Sequence, residues 1–257
     1  MAGLKYLLLS FLFITLNYSV YATRQPEGDT IKQNNDIMLF YGLIDYSAEF
    51  YQVDKRTSLV DHHILYQPLL DDNNILNFEF GIVESIQEEG TFTTPSDVKI
   101  GYRRNFKPRE QMDNGYDGSY FGAKLILPTG RDEYFSGFDS WTIEPNAGFQ
   151  WKLWNANTLT GLQLKYSYSF AALPDKKARN SFFRAEPYTG YENNRYWAFV
   201  AFDYRFIPSK VESNIFASIN VGFKFNEHWG IKGKFKPRIA GESFYEEMYV
   251  IGAYFYL

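Results

Sequence analysis

Between residues 159 and 170 the chain reads LTGLQLKYSYSF, and apolar and polar positions alternate. Leu162, Leu164, Tyr166, Tyr168 and Phe170 hold the even positions; Gly161, Gln163, Lys165, Ser167 and Ser169 hold the odd ones. A period of two marks a β-strand with one apolar and one polar face. The same alternation recurs about every 15 to 20 residues, with turn chemistry between the segments.

The pattern predicts twelve strands, over 38–52, 59–70, 75–84, 96–106, 118–127, 140–153, 159–170, 181–191, 195–206, 212–225, 229–239 and 244–257. The first two are the least regular, which leaves ten to fourteen strands open. DDNN (71–74), WNAN (154–157), ENN (192–194) and NEH (226–228) are tight turns. They follow the second, sixth, eighth and tenth strands. Long connections are expected at 85–95, 128–139 and 171–180, after the third, fifth and seventh strands. Short turns on one side and longer loops on the other fit an even-numbered up-and-down barrel. The long segment 107–117 and the short ones near 207–211 and 240–243 depart from that rule.

A soluble sandwich would also alternate, with charges outward and aromatics in the core. Three features favour lipid on the apolar side and water inside. Every predicted strand is amphipathic. Aromatic residues gather toward strand ends, as at Trp141, Trp151, Tyr204, Phe206, Phe223, Phe225 and Trp229, which suits interfacial girdles. The last nine residues, YVIGAYFYL (249–257), alternate to the final position. The expected fold is all-β: a transmembrane antiparallel up-and-down β-barrel in the outer membrane of a Gram-negative bacterium. Its partners are then outer-membrane lipids and lipopolysaccharide, and the outer-membrane assembly machinery through the C-terminal strand.

The N-terminus is read separately. Lys5 precedes an apolar run, 6–16, and Val20-Tyr21-Ala22 resembles a cleavage site. The run is shorter than the roughly 20 residues of a membrane-spanning helix. Residues 1–22 are therefore expected to be a secretory signal peptide, 23–36 an N-terminal extension and 37–257 the barrel. The chain has no cysteine, which removes disulfides, thiolate metal sites and cysteine nucleophiles. A net charge of −4 argues against a nucleic-acid partner.

One run of motifs carries a family resemblance. ILYQPLLDDNNILNFEFGI (64–82) is followed by SDVKIGYRRNF (96–106), and then by FGAKLILPTGRDEYFSGFDSWTIEPNAGFQWKL (121–153). Strand, short turn and strand, an Asp opening the next strand, and a strand ending in Leu-Pro-Thr-Gly at 127–130 occur in that order. The arrangement resembles the meta-pathway phenol-degradation family of outer-membrane proteins, over residues 60–257. The glycine-rich stretch usual in that family before its Asp is TFTTPSD (91–97) here. The resemblance implies a barrel that transports small, often aromatic or hydrophobic, compounds.

The polar strand faces supply the candidate chemistry. Lys99, Arg103, Lys124, Glu144, Lys165, Arg184, Glu186, Asp203, Arg205, Lys224, Lys232, Lys236 and Arg238 are the expected lumen-lining residues of a channel for small solutes. With Asp45, Glu49, Glu79 and Lys152, the wall carries eleven basic and six acidic side chains. A net positive wall favours anions or polar-headed solutes, with Lys232, Lys236 and Arg238 as a ladder on one strand. The competing reading is that these charges pair across the lumen and stabilise a plugged, structural barrel without transport. A lipid hydrolase is a third reading, but His62 and His63 point to opposite faces of one strand and His228 sits in a turn. No catalytic set, metal-ligand set or cofactor motif is expected. Asp71, Asp72 and the acidic loop 131–139 are read as solvated turns rather than calcium ligands.

Overall fold

The computed structural model describes residues 42–52, 57–71, 73–88, 90–106, 118–130, 139–152, 158–171, 180–193, 195–226, 228–241 and 245–257. The expected signal peptide and extension, the WNAN turn after Leu153, most of loop 131–139 and the connection 107–117 lie outside them.

All regular elements among the described residues are strands. In chain order they are β1 (Leu43–Gln52), β2 (Ser58–Gln67), β3 (Asn74–Gln87), β4 (Gly90–Pro95), β5 (Val98–Asn105), β6 (Gly118–Leu127) and β7 (Ser140–Lys152). There follow β8 (Thr158–Ala171), β9 (Phe182–Glu192), β10 (Tyr196–Ile207), β11 (Glu212–Lys224), β12 (Trp229–Ala240) and β13 (Glu247–Tyr256). Neighbours in sequence pair antiparallel, except that β4 and β5 both pair with β3, and β1 closes the ring by pairing along its full length with both β13 and β2. Apart from β4, which pairs on one side only, the closed ring leaves no sheet edge, the condition for strands to cross lipid.

Thirteen strands make twelve staves. The lower part of β3 pairs with β5, through Asn74–Glu79, and the upper part pairs with β4, through Ile82–Gln87. β4 and β5 are thus two halves of one stave, interrupted at Ser96-Asp97. This corrects the long loop expected at 85–95: that segment is strand, a tight turn and strand. Phe92 and Thr94 are half-buried while Thr91, Thr93 and Pro95 are exposed, so the segment alternates like the rest. Its β-branched threonines suit a strand, and they conceal it from a reading that looks for aliphatic residues.

The Leu-Pro-Thr-Gly segment folds back onto that interruption. Thr129 Oγ1 donates to the Ser96 carbonyl at 2.8 Å and accepts from the Val98 amide at 2.9 Å. The Gly130 amide donates to Asp97 Oδ1 at 2.9 Å. The Asp and the Thr-Gly of the motif run therefore meet in space, and they supply hydrogen bonds where the ladder is broken.

The barrel is inside-out. Tyr168, Phe202 and Ile251 are 52%, 53% and 66% exposed, whereas Asp203 and Lys236 are 1% and 2%. A soluble protein sorts these residue types the other way. The exposed wall is continuous and apolar, with rings paired around its rim: Phe149 with Trp151, Phe223 with Phe225 and Trp229 with Phe255, their centroids 5.3, 5.4 and 4.7 Å apart. These lie at the end where β1 starts and β13 finishes, called here the near end. The opposite, far end carries Tyr168, Phe170 and Trp141 on its outer face.

Candidate functional site

The lumen has two layers, and each follows from which residues occupy the inward parity. Near the β1-start end the inward residues are large and apolar. Leu43, Leu159, Tyr188, Trp197, Phe199, Tyr254 and Tyr256 form one buried cluster, with Leu65 packed against it. Leu65 belongs to β2 and Leu159 to β8, and the other members, on β1, β13, β10 and β9, lie on the arc of wall between them. Tyr188 Oη donates to Gln150 Oε1 at 3.0 Å, and Trp197 Nε1 donates to Tyr254 Oη at 3.4 Å.

These rings fit because the facing strand offers a glycine. Trp197 lies over Gly222, Phe199 over Gly190, Tyr188 over Gly161, Tyr254 over Gly230 and Tyr120 over Gly148. In every case the two residues are direct cross-strand partners. A Cβ at any of those glycines would stand 2.1 to 2.5 Å from the ring. Cross-strand packing of a ring onto a glycine holds register and covers the bare backbone.

Above this layer the inward residues are charged, and most are paired. Glu79 on β3 receives Lys99 from β5 at 2.9 Å and Lys124 from β6 at 2.5 Å. Asp203 on β10 gathers three cations. Arg184 Nε lies 2.8 Å from Oδ1, Arg205 Nη2 2.8 Å from Oδ2, and Lys236 closes on Oδ2 from β12. Arg184 also reaches Glu186 at 2.6 Å. Arg205 and Lys236 both stand over the Phe216 ring, 4.9 and 5.0 Å from its centroid, within cation–π range. Tyr245, just before β13, stacks on Phe216 at 5.0 Å. Lys232 reaches Asp45 at 2.5 Å and Arg238 lies 4.0 Å from Glu246, while at the near end, beside the aromatic layer, Lys224 reaches Glu192 at 2.7 Å.

All thirteen residues nominated from the sequence sit on the inward side of their strands. Glu144 accepts from Ser167 at 2.7 Å, and the Arg103 guanidinium lies 5.0 Å from the Tyr120 ring centroid. Lys165 makes no ion pair among the described residues. Neither does Lys234, which the nominated set omits although it shares parity with Lys232 and Lys236. Both lysines line a cavity of about 420 Å³. Its floor is the aromatic layer, Tyr188, Trp197, Phe199 and Tyr254, and its wall includes Asp45, Glu49, His63, Arg184, Glu186 and Lys232. The sequence signal for the floor is a second, inward set of aromatics at the near end, each opposite a glycine.

The histidines separate as strand geometry requires. His62 faces outward, where its Nδ1 meets Tyr46 Oη at 2.8 Å. His63 faces inward, with Nε2 3.9 Å from Glu49 Oε1.

No protein-family model matches the sequence, and no curated protein matches it. The comparison by shape does find relatives. An outer membrane channel from Pseudomonas putida F1 superposes with a TM-score of 0.61 at 13% identity, covering 91% of this chain and all (100%) of that one. The KdgM porin gives 0.57 at 12% identity, over 83% of this chain and 98% of its own. The NanC porin gives 0.57 at 10%, over 83% and 100%. At such identities the likeness is one of fold. The chain has the closed twelve-stave architecture of outer-membrane channels and porins.

Proposed function

We propose that this chain is an outer-membrane channel of a Gram-negative bacterium, and that it passes small solutes combining negative charge with an apolar or aromatic body. The observation that carries this is the cavity: two lysines without ion pairs, Lys165 and Lys234, stand in its wall above an aromatic floor. The pair offers positive potential to an anion, and the rings offer a face to an apolar group. The family resemblance of the motif run agrees with an aromatic solute. The exposed belt is the surface for outer-membrane lipid and lipopolysaccharide, and β13 is the segment for the assembly machinery.

A second reading, a structural barrel without transport, is favoured by the ion pairs that neutralise most of the inward charges. Planar-bilayer recordings on the refolded protein separate the two. Discrete conductance with a reversal potential favouring anions supports the channel. Absence of conductance, together with absence of solute uptake by proteoliposomes, leaves the structural reading.

A further inference from the structure

Inside the lumen, on the β1–β2 pair, three potential ligands share one face. Asp61 and His63 are two apart on β2 and so point the same way. Glu49 on β1 is the direct cross-strand partner of Asp61, and Ser47 is that of His63. One ligand atom from each of Glu49, Asp61 and His63 lies within 4.8 Å of the other two. None of the three carboxylate or imidazole groups is exposed.

Hydrogen bonding leaves part of this trio unsatisfied. Tyr51 Oη donates to Glu49 Oε2, which fixes that carboxylate. Asp61 Oδ1 and His63 Nδ1 are buried and have no hydrogen-bond partner among the described residues. Buried polar atoms are rarely left so, and each such case needs an explanation. Lys99, on β5 two staves from β2, is held by Glu79 at 2.9 Å instead.

We propose that Glu49, Asp61 and His63 form a binding site for a divalent transition-metal ion of the zinc type. Imidazole nitrogen and carboxylate oxygen are both zinc ligands, and three protein ligands leave a fourth, open position. The imidazole selects against magnesium and calcium, which prefer all-oxygen shells. Ligand atoms around zinc stand about 3.4 Å apart when each bond is about 2.1 Å, so the trio, within 4.8 Å, closes by at most about 1.4 Å on binding. Both strands are fixed in register by the barrel wall, which holds the ligands as a rigid element does. Glu49 and His63 also line the cavity, so the open position faces it.

The test uses the refolded full chain in detergent micelles, with zinc in competition against a chromophoric chelator and with cobalt(II) as an absorbing probe. The expected result is one zinc per chain and a visible cobalt spectrum. His63→Gln and Glu49→Gln each weaken binding at least tenfold, while heat-modifiable migration on gels shows the barrel intact. His62→Gln, on the outer face of the same strand, leaves affinity unchanged. Absence of saturable binding overturns the proposal. So does binding that survives His63→Gln, or that falls equally in His62→Gln. None of these readouts depends on conductance, so the site and the channel are judged separately.

Discussion

Trp197 on β10 lays its indole against Gly222, its partner on β11, so closely that a Cβ there would stand 2.2 Å from the ring. The indole is 8% exposed and belongs to the apolar cluster on the inner wall. Gly222→Ala forces the ring off the wall. The expected cost is that of overpacking, about 1–3 kcal/mol, read as a lower urea midpoint for the barrel in detergent. Gly233→Ala is the control, because a Cβ at 233 meets nothing closer than 3.7 Å; its midpoint should stay near that of the parent.

Asp203 neutralises the interior. Its side chain is 1% exposed and faces Arg184, Arg205 and Lys236. Asp203→Asn leaves three cations around a neutral amide. Removing one member of a buried pair typically costs about 3–5 kcal/mol. Refolding yield and the urea midpoint should both fall by a corresponding amount. An unchanged midpoint would mean that water enters this layer freely and screens the cluster.

Lys165 and Lys234 are the test of solute charge. Glutamine at either position removes a unit of positive charge from the cavity wall. One charge at contact distance in a water-like medium is worth about 1 kcal/mol, or about fivefold in anion occupancy. The ratio of chloride to potassium permeability should fall by about that factor in each variant. Lys210→Gln, whose side chain is 51% exposed at the far turn, should leave it unchanged.

Much of the fold is legible in alternation, for a physical reason: two solvents face the two sides of each strand. The pattern from 118 to 127 marks β6 at its observed bounds, because Phe121, Ala123 and Leu125 meet lipid while Gly122 and Lys124 meet the lumen. β4 escapes because TFTTP carries its outward parity on threonines, which are neither apolar nor charged. The twelve-stave number survives that omission, since β4 and β5 continue one another. The aromatic floor escapes for another reason. Aromatics predict the outer face in the middle of the wall, yet at the near end Trp197, Phe199 and Tyr254 point inward over glycines. Composition cannot show that pairing; register can. The ion pairs are less accessible still. Lys232 and Asp45 are 187 residues apart in sequence and meet only because β1 closes against β13.

The turn between β2 and β3 predicts a pH effect. Asp71 accepts from the Asn74 side-chain amide at 2.7 and 2.8 Å, and from the Asn73 and Asn74 amides at 2.8 and 2.9 Å. The Asn74 side chain first, then the backbone amides, hold its carboxyl below the ordinary aspartate range. A depressed folded value means that the turn's contribution is fully present above the ordinary aspartate value of about 3.9. It is lost as pH falls through the lowered one. Carbon-13 NMR of labelled aspartate in micelles should show Asp71 titrating below the ordinary aspartate value, and Asn74→Ala should move it back up.

The most direct test of the barrel's orientation compares two tryptophans. Trp229 is 52% exposed on the outer wall, and Trp197 is 8% exposed inside. Two variants, each retaining one of these and carrying phenylalanine at the other tryptophans, are refolded into vesicles with brominated acyl chains. The expected result is strong quenching of Trp229 and little quenching of Trp197. Equal quenching of both, or a chain that remains a dispersed monomer without detergent and shows no quenching of either, would contradict a wall with lipid outside and water within.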